Sequence, residues 1–503
     1  MELVWLKKDL RLEDHAALSA AADLGPVLAL WIYEDTLIQA DDFDARHLGF
    51  ANECLADLEM DLQLCGVRLL RRRGDAVAVL EELWQQAPFA RLHSHQETGN
   101  ALSYQRDLAV AQWCRARQVH WQEYAQNGVV RRLRDRDGWA ERWLKRMSPT
   151  PRAAPTRWIG ADVSHLRGED CLRADDFCLG SDLSAKLRQR GGSREAQSIL
   201  HSFLHQRGAG YTKEMSSPVT AWDSCSRLSP YLTWGAISVR QCLHACVDRR
   251  LQWQQEKTLG KNPDARWSSA FKSFQSRLRW HCHFMQKLED EPAIEHRNFS
   301  RACDGLRDER HDNHEHLAAW QNGLTGYPMI DACMRALQGT GWLNFRMRAM
   351  VMSFASYHLW LHWRKPGLHL ARMFLDYEPG IHWSQCQMQS GTTGINTLRV
   401  YSPIKQVLDQ DPQGTFIRRW VPELAHVPVS YLAEPWTMPL MEQQFSSCLI
   451  GHDYPFPIVD HKTAYHQAQQ RMHHLRQQRS SRLEAQMIQK KHGSRKQGSK
   501  QWR

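Results

Sequence analysis

The chain has 503 residues, 42% of them apolar and 24% charged, which exceeds what one hydrophobic core usually serves and predicts two or three domains. Thirteen cysteines, an odd number without a Cys-x-x-Cys pair, argue against a disulfide framework or a structural zinc site and for reduced thiols. No apolar run approaches the roughly 20 residues of a membrane span, and charges in Met1–Asp9 interrupt the stretch a secretory signal needs, so a cytoplasmic protein without membrane contact is expected.

Short apolar runs at Leu3–Leu6, Val27–Ile32, Val67–Leu70, Arg91–His95 and Val119–Glu123 predict strands. The amphipathic stretches Ala45–Leu64 and Ser103–Arg117 predict helices between them. This alternation predicts a parallel sheet with helices on both faces, a Rossmann-like α/β domain over residues 1–130. It holds no Gly-x-Gly-x-x-Gly turn, which disfavours a nicotinamide-nucleotide site. His95-Gln96-Glu97-Thr98-Gly99-Asn100 falls at a strand end, where open α/β sheets take ligands, although a helix-capping loop is the plainer reading. From about Met147 to Arg194 the chain turns rich in Pro, Gly, Asp and Ser, including Pro149, Pro151 and Pro155, so residues 131–194 are expected to form an interdomain connector. Strand signals then fade. Helical patterns at Ser268–Leu288, Tyr327–Gln338 and Asn344–Trp363 predict an all-α domain over residues 195–470.

Residues 471–503 hold ten Lys or Arg against one acid, Glu484, so a net charge of +10 leaves about +1 for everything before them. Such a C-terminal tail suits nucleic-acid phosphate through counterion release, or serves as a solvated, partly disordered extension. His311-Asp312-Asn313-His314-Glu315-His316 has metal-ligand residue types without a regular ligand spacing, and His281-Cys282-His283 cannot aim three side chains at one centre, so no metal site is expected.

Ser224-Cys225-Ser226-Arg227-Leu228-Ser229-Pro230-Tyr231-Leu232 combines hydroxyls, backbone N–H groups opening a helix and one fixed cation, the donors a diphosphate needs. An ordinary capped helix start is the alternative. About a hundred residues on stand Thr325-Gly326-Tyr327-Pro328-Met329-Ile330-Asp331 and Gly341-Trp342. In order and spacing these segments resemble the photolyase and cryptochrome family. The resemblance runs from Leu3-Val4-Trp5-Leu6-Lys7-Lys8-Asp9-Leu10-Arg11 to Tyr454-Pro455-Phe456-Pro457-Ile458-Val459-Asp460.

The resemblance implies FAD folded inside the helical domain, with phosphate contacts from Tyr211 and from Cys225, Ser226, Arg227, Leu228 and Ser229. Cys225 stands where Thr is common, and the family's Arg at position 227 also braces a carboxylate. The resemblance further implies an Arg348–Asp376 pair near the ring edge, where a guanidinium facing a carboxylate stabilises a reduced, anionic flavin; a structural ion pair is the other reading. Past Asp376 the chain departs from the family pattern. In the expected loop Tyr377-Glu378-Pro379-Gly380-Ile381-His382-Trp383-Ser384-Gln385-Cys386, Cys386 replaces the tryptophan nearest the flavin and His382 takes the place facing its reactive nitrogen. Trp383 is the candidate for the lost donor role. Trp363 matches the middle member of the family's tryptophan chain, with Trp360 and Tyr357 as alternatives, and core packing is the competing role for such indoles.

The resemblance also implies a cavity for DNA containing UV photoproducts. Trp280, in Arg277-Leu278-Arg279-Trp280-His281, aligns with a tryptophan on which an extruded pyrimidine dimer stacks; Arg277, His281, Arg346 and Arg399 are the other expected DNA contacts. Arg277 stands where many dimer-splitting members carry Glu, and Phe345 where they carry Asn, while the two histidines of (6-4) repair are missing near Asn344 and Ala349. The implied activity is that of a deoxyribodipyrimidine photo-lyase: light-driven splitting of cyclobutane dimers by electron transfer from photoexcited reduced FAD, in a monomer. A cryptochrome-like blue-light photoreceptor is the alternative. A second, antenna chromophore of unspecified identity is common in the family and is expected between the two domains.

Overall fold

The computed structural model describes residues 1–155 and 157–493. Five parallel strands, β1 (Glu2–Leu6), β2 (Val27–Tyr33), β3 (Leu69–Arg73), β4 (Arg91–His95) and β5 (His120–Tyr124), form one sheet in the order β3-β2-β1-β4-β5. Val4, Leu6, Ala29, Trp31 and Tyr33 enter the core on one face, and Leu3, Trp5, Leu28, Leu30 and Ile32 enter the core on the other. Strands buried on both faces read as continuous apolar runs, as β1 and β2 do, and every predicted strand end falls within three residues of the observed one. The helices Ala45–Leu64 and Ala101–Arg117 start at Asp44 and Asn100, whose side chains accept from backbone N–H groups of the first turn.

The connector carries the helix Trp139–Met147 and touches the sheet where Gly160 bridges Val27. Beyond it the chain is built of helices around a second core that includes Trp320, Met350, Phe354, Trp363 and Trp383. The helices Trp267–Asp290 and Pro379–Ser390 pack so closely that a Cβ on Gly380 would lie 2.7 Å from Met285 Cα. Buried polar side chains seal the two halves together. Arg46 Nη1 donates to Met373 O (2.8 Å), Arg11 Nη1 donates to Gly235 O (3.0 Å), and the His47 ring bonds Phe374 O (2.9 Å).

Two expected elements differ. The stretch read as one helix from Asn344 to Trp363 is an α-helix over Phe345–Ser353 followed by a π-helical turn over Phe354–His358. It ends at Trp360, held at a left-handed φ of +52° with the guanidiniums of Arg307 and Arg471 4.3 and 4.6 Å from its ring. The stretch read as a loop after Asp376 is the helix Pro379–Ser390. Extended Glu378 precedes it, Pro379 opens it and Gly391 (φ +76°) closes it.

The basic tail is not a loose extension over its described part. It forms the helices His461–Gln477 and Arg479–His492, while residues 494–503 lie outside the described residues. Its one acid fixes it: Glu484 accepts from Ser300 Oγ (2.6 Å), Arg301 N (2.7 Å) and Ala302 N (2.9 Å). Lys491 Nζ and His492 Nε2 both donate to Glu291, 2.7 Å each. Glu484→Ala strands three donors and is expected to cost about 1–3 kcal/mol, read as faster hydrogen exchange at the Arg301 and Ala302 amides. No helix among the described residues is long and apolar enough to cross a membrane.

Candidate functional site

The Cys225–Leu228 loop joins two short helices, Ala221–Ser224 and Ser229–Thr233, the second with Pro230 in its first turn. Arg207 orders the loop by donating to the carbonyls of Asp223 (2.8 Å) and Ser226 (2.9 Å). Arg227 sits at φ +59°, and its guanidinium carbon lies 3.5 Å from the Trp222 ring centre and 4.4 Å from that of Trp342. Its Nε donates to Gln189 Oε1 (3.1 Å), and Gln189 Nε2 donates back to Arg227 O (2.9 Å). The brace expected from a carboxylate thus comes from an amide and two indoles. Arg227 Nη2 is buried without a hydrogen-bond partner, and burial, reinforced by Arg207, pushes the guanidinium down to about 9.

Cys225 feels four guanidiniums, those of Arg227, Arg207, Arg277 and Arg348, although burial still pushes its thiol up to about 12. Leu228 is buried, Ser226 and Ser229 are half-buried, and Tyr211 is buried with its ring on Phe203. Arg348 grips Asp376 with both terminal nitrogens (2.9 and 2.8 Å) and donates Nε to Leu343 O (2.7 Å). Asp376 is almost fully buried, and its carbonyl accepts from Thr233 Oγ1 (3.4 Å), which ties the ion pair to the helix after the Cys225–Leu228 loop.

On the Pro379–Ser390 helix, His382 and Cys386 stand one turn apart, Sγ 3.5 Å from Nε2, and that nitrogen also bonds Gly367 O (2.8 Å). Burial lowers His382 to about 4 and raises the Cys386 thiol and Glu378, the latter to about 7. His382 and Cys386 are therefore uncharged at neutral pH, and Glu378 is about half ionised. Trp383 turns the other way and meets Trp363 at 5.8 Å between ring centres. Tyr377 lies 5.1 Å from His382 and 6.5 Å from Trp383 between ring centres and donates its hydroxyl to Asp42 Oδ2 of the α/β domain (2.6 Å).

The mouth of the site lies between the Trp267–Asp290 helix and the start of the Phe345–Ser353 helix. Trp280 is 39% and Phe345 49% exposed, and the Arg277 guanidinium lies 6.0 Å from the Phe345 ring. Asn344 donates to Ser216 O (2.8 Å), and Arg346 Nη2 reaches Ser216 Oγ (3.5 Å). His281 is half-buried and lowered by burial to about 4. Arg399 does not join this group. Its carbonyl accepts from Ser353 Oγ (3.3 Å), at the far end of the Phe345–Ser353 helix and about 12 Å along its axis.

Two family models match the chain: DNA photolyase over residues 2–135 and the FAD binding domain of DNA photolyase over residues 274–474. The chain belongs to the photolyase and cryptochrome family. It is 29% identical to the deoxyribodipyrimidine photo-lyase of Streptomyces griseus over 91% of this chain and 96% of that one. It is 26% identical to cryptochrome DASH of Gloeobacter violaceus over 91% and 93%. A bacterial class III photolyase from Agrobacterium tumefaciens superposes with a TM-score of 0.82 at 25% identity, covering 95% of this chain and 98% of that chain.

FAD is the cofactor of this photolyase-type helical domain, and the residues fit it. Four cations gather at the Cys225–Leu228 loop while Asp376 is already committed to Arg348. The buried, unpartnered Arg227 Nη2 therefore calls for an anion such as a diphosphate. Sequence reasoning missed Gln189, Trp222 and Asp42, because each meets its partner through the fold and belongs to no local motif.

A second cavity of about 110 Å³ opens at the carboxyl ends of the strands, between the two domains, lined by Lys7, Glu34, Asp42, Glu97, Asn100 and Tyr377 among others. Asp9, His15 and His95 form the one group of buried metal-ligand types among the described residues. His15 Nδ1 accepts from Leu18 N (3.0 Å), which leaves its other nitrogen as the N–H facing Asp9 (3.2 Å), and His95 Nδ1 also faces Asp9 (2.7 Å). Burial alone would raise Asp9, but these two contacts hold it well below the usual carboxylate range. The trio is a hydrogen-bond hub under β1.

Proposed function

We propose that this chain is a light-driven DNA photolyase that splits cyclobutane pyrimidine dimers. The observation that carries the reading is the pair of exposed aromatic side chains Trp280 and Phe345: the Phe345 ring lies beside Arg277, one helical turn before Trp280, and Arg346 follows Phe345 in the chain. Flat rings receive extruded bases, and the cations receive phosphate. Bound FAD, reduced and photoexcited, supplies the electron that opens the dimer. The chain does the rest. Tyr211, Ser226, Arg227 and Ser229 hold the cofactor phosphates, with Cys225 and Leu228 shaping the loop. Arg348 and Asp376 present a fixed dipole to the ring edge, and Tyr377, Glu378 and His382 close the pocket around it. His281, neutral, adds no charge beside the dimer, and Trp383 and Trp363 form the internal electron path.

The test is blue light on the photoreduced protein with an oligonucleotide bearing one thymine dimer. Catalytic recovery of thymine absorbance over a dark control is expected. No recovery with FAD bound and reduced would overturn the assignment. Trp280→Ala is expected to weaken binding to dimer-containing DNA by about 1–3 kcal/mol and to leave binding to undamaged duplex nearly unchanged, measured side by side at one salt concentration.

The cation–π pair of Arg277 and Phe345 favours a second reading. It replaces the acceptors that many dimer-splitting relatives present, as a blue-light photoreceptor without repair would allow. The interdomain cavity supports the antenna chromophore in either reading, since it lies at the strand ends where open α/β sheets take ligands.

A further inference from the structure

Trp383 has two redox-capable neighbours, Trp363 at 5.8 Å and Tyr377 at 6.5 Å between ring centres. They differ in what can take a proton. Trp383 is buried, and its indole N–H faces the Tyr377 hydroxyl, which is no base, so an oxidised Trp383 has no proton acceptor of its own and keeps its positive charge. Trp363 donates Nε1 to Asn298 Oδ1 (2.8 Å), and an amide oxygen is no base at neutral pH. Trp360, the alternative outlet, carries two guanidiniums on its ring, which disfavour a further positive charge there.

Tyr377 alone of these has a base in place. Its hydroxyl donates to Asp42 Oδ2 at 2.6 Å, a short charge-assisted bond, and Asn100 Nδ2 holds the same carboxylate oxygen at 3.1 Å. Asp42, His47, Glu295, His382 and the Trp383 indole face the phenol. Burial first, then Asp42, raises the phenol well above its ordinary value, so it does not ionise by itself. Asp42 and Tyr377 both line the interdomain cavity, which gives a proton a way out.

Resting on the reading above, in which bound FAD is photoreduced through Trp383, we propose that Tyr377 is the residue that finally gives up the electron, with Asp42 as its proton acceptor. Trp383 would give one electron to bound, photoexcited FAD and would be refilled by one from Tyr377. The Tyr377 O–H bond breaks, an O–H bond forms on Asp42, and a neutral tyrosyl radical remains. With no positive charge left on the donor side, return of the electron is slowed. A thiol in solution later returns the electron and Asp42 the proton, the thiol losing its own proton to water.

The test is electron paramagnetic resonance of the FAD-bound protein, illuminated and frozen, with and without ring-deuterated tyrosine. A tyrosyl signal narrowed by deuteration is expected in the parent and lost in Tyr377→Phe. Asp42→Asn, nearly unchanged in size, should shorten the light-induced radical lifetime by about tenfold in flash photolysis, and it decides the matter if Tyr377→Phe fails to hold FAD. A tryptophan signal alone in the parent, a tyrosyl signal surviving in Tyr377→Phe, or an unchanged lifetime in Asp42→Asn would overturn the proposal. Dimer repair by the parent protein reduced chemically in the dark separates the two readings, because failure there removes the photolyase assignment while the radical result stands or falls by itself.

Discussion

Arg348→Met protein is expected to emerge from purification nearly free of flavin. Asp376 is almost fully buried, and both its oxygens are spent on Arg348. Removing the guanidinium leaves a carboxylate without a counter-ion, a change that costs about 3–5 kcal/mol at buried pairs. Arg348 is a quarter exposed, so the lower end applies. With the guanidinium gone, water entering its place relieves the charge in the cofactor-free variant, whereas bound flavin would shut that water out. Most of the penalty therefore falls on binding, on the order of a hundredfold loss in FAD affinity for about 3 kcal/mol. Asp376→Asn keeps the shape and leaves a partly exposed cation unpaired, so its loss should be smaller. Arg348→Lys cannot reproduce the two-pronged grip and should fall between. Flavin absorbance per protein and FAD titration of the stripped variants check the order. Stoichiometric flavin at unchanged affinity in Arg348→Met would show that the pair is purely structural.

What the sequence revealed depended on where each signal was stored. The two central strands Glu2–Leu6 and Val27–Tyr33 were legible because they are buried on both faces and so nearly continuously apolar, and the outer strands by their alternation with helical stretches. The Arg348–Asp376 pair was legible through its motifs. The break at Trp360 was not, because the guanidiniums that hold it come from Arg307 before it and Arg471 well after it. The Pro379–Ser390 helix read as a loop because Pro379 and Gly380 are helix breakers in isolation; in place, one opens the helix and the other admits Met285. The C-terminal segment read as a tail because cations dominate its composition, while Glu484 and His492 do the docking. Arg227 shows the same limit within the site: its cationic role was legible, its partners Gln189 and Trp222 were not.

The protein should lose stability steeply in mild acid. Away from the flavin site, burial lowers His95 and His362 to about 4, His358 and His369 to about 3 and His283 to about 2. Each of these imidazoles stays neutral in the fold while its unfolded counterpart takes a proton below about 6.5. Their contribution is thus complete above 6.5 and is lost as the pH falls toward 4. Burial acts the other way on Glu34 and Glu295, raised to about 7. Those two hold protons in the fold down to the ordinary carboxylate range, so their contribution grows as the pH falls from 7 toward 4.5. Five imidazoles against two carboxyls leave three protons more on the unfolded chain, a slope of about 4 kcal/mol per pH unit between roughly 6 and 4.5. Over that range about 6 kcal/mol is lost, comparable with the lower end of total stabilities of about 5–15 kcal/mol, so the folded fraction should begin to fall there, measured by tryptophan fluorescence at equilibrium. His369 packs edge-on against Trp320, and His369→Phe removes one of the five, which should flatten the slope by about 1.4 kcal/mol per unit. A melting temperature unchanged between pH 7 and 5 would mean that these rings accept protons where they stand, with water reaching them inside the fold.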